Sequence, residues 1–200
     1  MNRRIRTLWD QYKEYSKLAN VAEIARRYFA MNAFDGALTM IGVLMGNYTA
    51  GVDSPRIVVS TGLATSVAMG ISGLWGAYLT EAAERKRELS EMSEQVLVDL
   101  NETRIGKASR FAVAVVAVVD GISPALAALI ILSPFFVADL FGQIQWVYFT
   151  ALGLALLCLF GLGAFLGIVS KENIFLYGLK TVVAGLVSIA ISFLLGAPGE

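Results

Sequence analysis

The sequence predicts an all-α membrane protein with five transmembrane helices, and three observations carry that prediction. Over half of the 200 residues are apolar, 56%, while only 16% are charged, an imbalance that a water-soluble domain of this length has too little interior to hide. Five stretches, near 33–50, 56–79, 109–136, 145–169 and 176–196, approach the roughly 20 helical residues needed to cross about 30 Å of hydrocarbon. Lysine and arginine alternate in density between the segments that flank those stretches, as they do around true spans.

The order of elements follows. Residues 1–32 read as a cytoplasmic amphipathic helix lying at the membrane surface, because Trp9, Tyr12, Tyr15, Leu18 and Ala22 recur at near-helical intervals with cations between them. Residues 33–80 hold spans one and two. Residues 81–108, a Glu-rich segment, extend span two as a cytoplasmic helix, and residues 109–200 hold spans three to five. Seven cations precede span one and six lie between Arg85 and Arg110, whereas Arg56 stands alone between spans one and two and the linker after span three has none. An inside N-terminus and an outside C-terminus follow, in the cell membrane if the chain is prokaryotic. The first 30 residues lack the apolar core and cleavage site of a signal peptide, so the spans themselves are expected to direct insertion.

Composition also excludes chemistry. There is no histidine, which removes Ser-His-Asp, Cys-His and HExxH catalysis. The single Cys158 has no partner for a disulfide or a thiolate cluster. A formal net charge of zero gives no basic excess for nucleic acid. The chain is therefore not expected to be an enzyme or to hold a resident cofactor. Asp-Gly pairs do occur in the membrane enzymes that transfer CDP-alcohol phosphates, but Asp35-Gly36-Ala37-Leu38-Thr39-Met40 breaks their pattern.

Two carboxylates stand where lipid would penalise them. Asp35 lies near the cytoplasmic end of span one and Asp120 about ten residues inside span three, with no lysine or arginine close by in either span. An ionised carboxylate there costs several kcal/mol unless it meets water, a cation or a partner. A divalent metal ion or a proton would neutralise it; capping a broken helix or lying close to the interface would also account for either aspartate. Thr39 lies one turn from Asp35, and Gly42 and Gly46 form a small-residue face for close helix approach. Met69 in span two offers a thioether for a softer ion, or simple packing. Glu81, Glu84, Glu88 and Glu91, with Met92 beside them, fall on one helical stripe. That stripe either gathers cations or is a solvated face stitched by Glu81–Arg85 and Arg87–Glu91 pairs. Asp35-Gly36 also finds an echo in Asp120-Gly121, a faint duplication relating spans one and two to spans three and four.

Asp35-Gly36 followed by Gly42 and Gly46, and a Glu-rich helical segment entered through Gly76-Ala77-Tyr78-Leu79, resemble the vacuolar iron transporter family over nearly the whole chain. The resemblance implies a homodimer in membrane lipid that exchanges Fe2+ or Mn2+ for protons. It further implies that Asp35 lines the path, Met69 lies near it, and the cytoplasmic Glu and Met residues collect ions. Ala77 stands where that family carries a glutamate. The other expected class is a non-transporting membrane module that senses metal or recruits a partner through residues 80–108.

Overall fold

The computed structural model describes residues 15, 16 and 19–196. Its elements are α1 (Val21–Thr49), α2 (Pro55–Val96), α3 (Arg104–Phe136), a short 3-10 turn (Ala138–Leu140), α4 (Ile144–Ser170) and α5 (Ile174–Gly196). All five helices are long and apolar enough to cross a membrane, and no strand occurs among the described residues. The protein is an integral, multi-pass, all-α membrane protein.

The first two helices differ in extent from the sequence reading. The expected division between residues 32 and 33 falls inside α1, which runs without interruption from Val21. The break lies instead at Ala19-Asn20, where Asn20 adopts a left-handed φ of 50°, a conformation asparagine tolerates better than most residues. Of the expected surface helix, Tyr15 and Ser16 are helical, and residues 1–14, 17 and 18 lie outside the described residues. Span two and the Glu-rich segment form one 42-residue helix, α2, about 63 Å long at 1.5 Å per residue.

The chain divides into two compact units. The first comprises residues 1–29 and 71–122. Its small apolar core joins Ala19 and Val21 to Ala108 and Ala112, flanked by Tyr15, Phe111 and Val115. The turn from α2 to α3 is built by local hydrogen bonds: the Leu100 amide donates to Ser93 Oγ at 3.2 Å, and Asn101 donates from its backbone and side chain to Asp99 Oδ1 at 2.9 and 2.7 Å. Those two donors hold the Asp99 carboxyl below its ordinary range.

The second unit comprises residues 30–70 and 123–200. Met40, Ile41, Leu44, Val58, Ile131, Leu132, Val147 and Leu159 are fully buried in its core. Tyr148 sits among them with edge-on contacts to Tyr48 and Phe135, and its hydroxyl donates to the Val52 carbonyl at 2.8 Å, which satisfies the polar tip that a buried tyrosine must pair. Small residues set the helix spacing. Gly36 packs on Pro124, where an added Cβ would stand 2.7 Å from the proline Cα. α4 and α5 form a hairpin in which Gly167 lies against Ile174 and Gly178 against the Phe160 ring, the close approach that membrane helices make without a hydrophobic drive. Lys171 closes α4 in a left-handed conformation, φ 57°, and Asn173 Oδ1 accepts the Phe175 and Leu176 amides at 3.0 and 3.2 Å to open α5.

Candidate functional site

Asp120 is the most enclosed acidic side chain in a span, with 4% of its surface exposed. It lies on α3, against Gly73 of α2: a Cβ at Gly73 would be 2.9 Å from Asp120 Oδ2 and 3.3 Å from the Asp120 backbone oxygen. A hydrogen at residue 73 is therefore what lets this carboxylate lie between the two helices. The residue four positions on is Pro124, inside the same helix. Proline has no N–H, so the helical bond that would normally cap the Asp120 carbonyl cannot form. Two oxygens of one residue, a carboxylate and a backbone carbonyl, thus lie beside Gly73. Carboxylate and carbonyl oxygens are the donors that hard divalent cations take.

Asp35 has a different environment. It is exposed on α1, as is Gly46. Asp35, Thr39, Gly42 and Gly46 step along one helix face, and a Cβ at Gly42 or Gly46 would meet nothing within 4 Å. A carboxylate on a membrane helix therefore shares its face with two glycines, half-buried Gly42 and exposed Gly46, that have room for a larger side chain among the described residues. Met69 is half-buried on α2, one turn before Gly73.

The four glutamates of the stripe are not gathered into a carboxylate cluster; each is taken by an arginine. Arg85 pairs with Glu81 at 3.6 Å and Glu88 at 3.9 Å, and Arg87 with Glu84 at 3.1 Å and Glu91 at 3.5 Å. Met92 is exposed beyond them. Among the described residues no three His, Cys, Asp or Glu side chains converge where they could hold a metal ion. The stripe has the stitched geometry that the same spacing allowed, because each arginine sits three or four residues from two glutamates.

Glu81 nonetheless differs from the other three. It is nearly buried, and the Tyr28 hydroxyl of α1 donates to its Oε1 at 2.9 Å. Arg85 donates in turn from Nη2 to the Ala19 carbonyl at 3.1 Å. The Tyr28–Glu81–Arg85–Ala19 chain ties the start of α1 to α2, and neither Tyr28 nor Arg85 stands out in the sequence as a site residue. The signal that could have found Pro124 was present: a proline four residues after an intramembrane aspartate.

The two arginines are expected to differ in weight. Arg85 is 15% exposed and Arg87 66%. Changing Arg85 to Gln leaves a nearly buried carboxylate and a backbone carbonyl short of a charged donor, and is expected to lower stability by about 2 kcal/mol. The Arg87→Gln change, on a solvated pair, should cost less than about 1 kcal/mol. Thermal unfolding of both variants in one detergent checks the order; equal effects would deny the latch.

No protein-family model matches the chain. It is 31% identical over 172 residues to uncharacterized protein MJ0645 of Methanocaldococcus jannaschii, a match covering 84% of this chain and 86% of that relative.

Proposed function

The chain belongs to the family of the archaeal protein MJ0645, and we propose that it is a carrier of divalent metal cations, of the Fe2+ or Mn2+ kind, working as a homodimer in the cell membrane and coupled to protons. The observation that carries this reading is the enclosed Asp120 carboxylate, with its own carbonyl beside it, in a helix whose stretch from Phe111 to Phe136 holds no lysine or arginine. A passing cation offsets the cost of that charge, and a proton offsets it equally. Each ligand lowers the occupancy of the other, which couples the two fluxes.

Asp35 supports the dimer. Among the described residues of one copy, this carboxylate and Gly46 are exposed, and a Cβ at Gly42 or Gly46 would meet nothing within 4 Å. A second copy apposed there would remove Asp35 from lipid and line a polar seam between the two. The transported ion is cargo in this reading and no resident cofactor. The N-terminus is cytoplasmic in this reading, on the lysine and arginine distribution.

The test is uptake of Fe2+, Mn2+, Co2+ and Zn2+ into proteoliposomes with and without a pH gradient. Uptake above protein-free vesicles, steepened by the gradient, is the expected result. Binding without flux would instead favour a non-transporting module that senses metal or recruits a partner through residues 80–108. Within that second reading, the arginine pairing of all four glutamates on the extended half of α2 favours partner recruitment over metal sensing.

A further inference from the structure

A concave surface between α2 and α3, of about 330 Å³, gathers Arg85, Lys86 and Arg110 with the polar side chains of Asn101, Ser109 and Tyr78. Two of its cations are already engaged: Arg85 by Glu81 and Glu88, and Arg110 by the exposed Glu102 at 3.8 Å. Lys86 has no ion-pair partner among the described residues. Two carboxylates stand near its α3 side: the solvent-exposed Glu102, held at the long end of pairing distance, which an incoming anion can displace at little cost, and Asp99, which is engaged by Asn101 at 2.7 Å.

Position along the helices selects the anion. Tyr78 stands at the end of the apolar stretch of α2, and Arg110 immediately precedes the apolar run that begins at Phe111. Leu89 and Val113, both buried, supply the apolar part of the lining. The pocket therefore straddles the depth at which a bilayer changes from acyl chain to headgroup, with cations on the polar side and apolar side chains on the other. Basic pockets between spans at that depth match the phosphate of an anionic lipid, and a lysine and an arginine fork match its oxygens as a point charge and a bidentate donor. A volume of this size takes a glycerol phosphate headgroup.

We propose that this pocket binds the phosphate of an anionic phospholipid, with Lys86 and Arg110 as its principal contacts and Ser109 and Asn101 as hydrogen-bonding neighbours. The assignment needs only the membrane placement of α2 and α3. It stands or falls independently of cation transport.

The full chain, purified in a neutral detergent, would be given phosphatidylglycerol, phosphatidylcholine, sn-glycerol 3-phosphate or inorganic phosphate, with bound lipid counted by native mass spectrometry. Wild type is expected to retain phosphatidylglycerol over phosphatidylcholine. Retention should drop about fivefold per basic residue removed, hence roughly 25-fold in Lys86→Gln/Arg110→Gln. The exposed pair Arg87→Gln/Lys107→Gln, outside the pocket, should leave retention within about twofold of wild type. If the double variant does not elute as a folded species, Lys86→Gln alone is read, with its own fivefold expectation. Equal retention of the two lipids, equal loss in the Arg87/Lys107 control, or thermal stabilisation by the two soluble phosphates that matches phosphatidylglycerol would each overturn the lipid assignment.

Discussion

Asp35→Asn is expected to lower divalent-cation uptake by about a hundredfold while leaving the folded protein intact. Holding a carboxylate inside a span costs up to about 2.5–3.5 kcal/mol on insertion scales, the upper figure applying at the centre. If a cation is what relieves that cost during passage, removing the charge removes a binding contribution of that order, and about 2.7 kcal/mol is a hundredfold. The structural side of the prediction follows from exposure. Asp35 is on the open face of α1, and substitutions at exposed positions rarely move stability by more than about 0.5 kcal/mol. The measurement is initial uptake of Mn2+ into proteoliposomes at matched protein density, beside a thermal melt of the same preparations. Undiminished uptake by a correctly folded Asp35→Asn protein would remove Asp35 from the mechanism, and a collapse of the melt would make its role structural.

The second large effect is opposite in kind at two glycines of the same helix. Gly36→Ala places a methyl 2.7 Å from the Pro124 Cα and 3.0 Å from its Cβ. Neither atom is the end of a flexible side chain, so one helix must shift, and overpacking of this sort costs about 1–3 kcal/mol. Gly42→Ala meets nothing within 4 Å in a single copy. There the substitution should stabilise α1 by about 0.5–1 kcal/mol through reduced backbone entropy of the unfolded chain. The pair also reads out self-association. If a second copy covers the Gly42 face, Gly42→Leu should shift the protein toward monomer in cross-linking or light scattering, with its melting temperature preserved. A Gly36→Ala protein as stable as wild type would contradict the packing of α1 on Pro124.

Much of the fold was legible because hydropathy reports directly on the environment a span requires. The helix ends at Thr49 and Phe136 fall where apolar sequence gives way to polar or glycine-containing sequence, and there the expected and observed limits agree within a residue or so. The junction near residue 32 was not legible. Arg26-Arg27-Tyr28-Phe29 changes polarity without any helix breaker, so polarity suggested an end where backbone chemistry allowed α1 to continue. The true interruption, at Asn20, is a matter of one residue's φ.

The candidate site divides in the same way. Asp120 announced itself as a charge in an apolar run, whereas its apposition to Gly73 depends on which helix packs on which, and no residue pattern within α3 encodes that. For the glutamate stripe, two geometries share one spacing. Only the side-chain positions of Arg85 and Arg87 separate a cation collector from a set of ion pairs.

The link between α4 and α5 consists of Lys171, Glu172 and Asn173. So short a connection leaves the two helices no room to part. The two must lie side by side and antiparallel, and a chain ending before Ile174 would leave the Gly163 and Gly167 flank of α4 without the residues that pack on it.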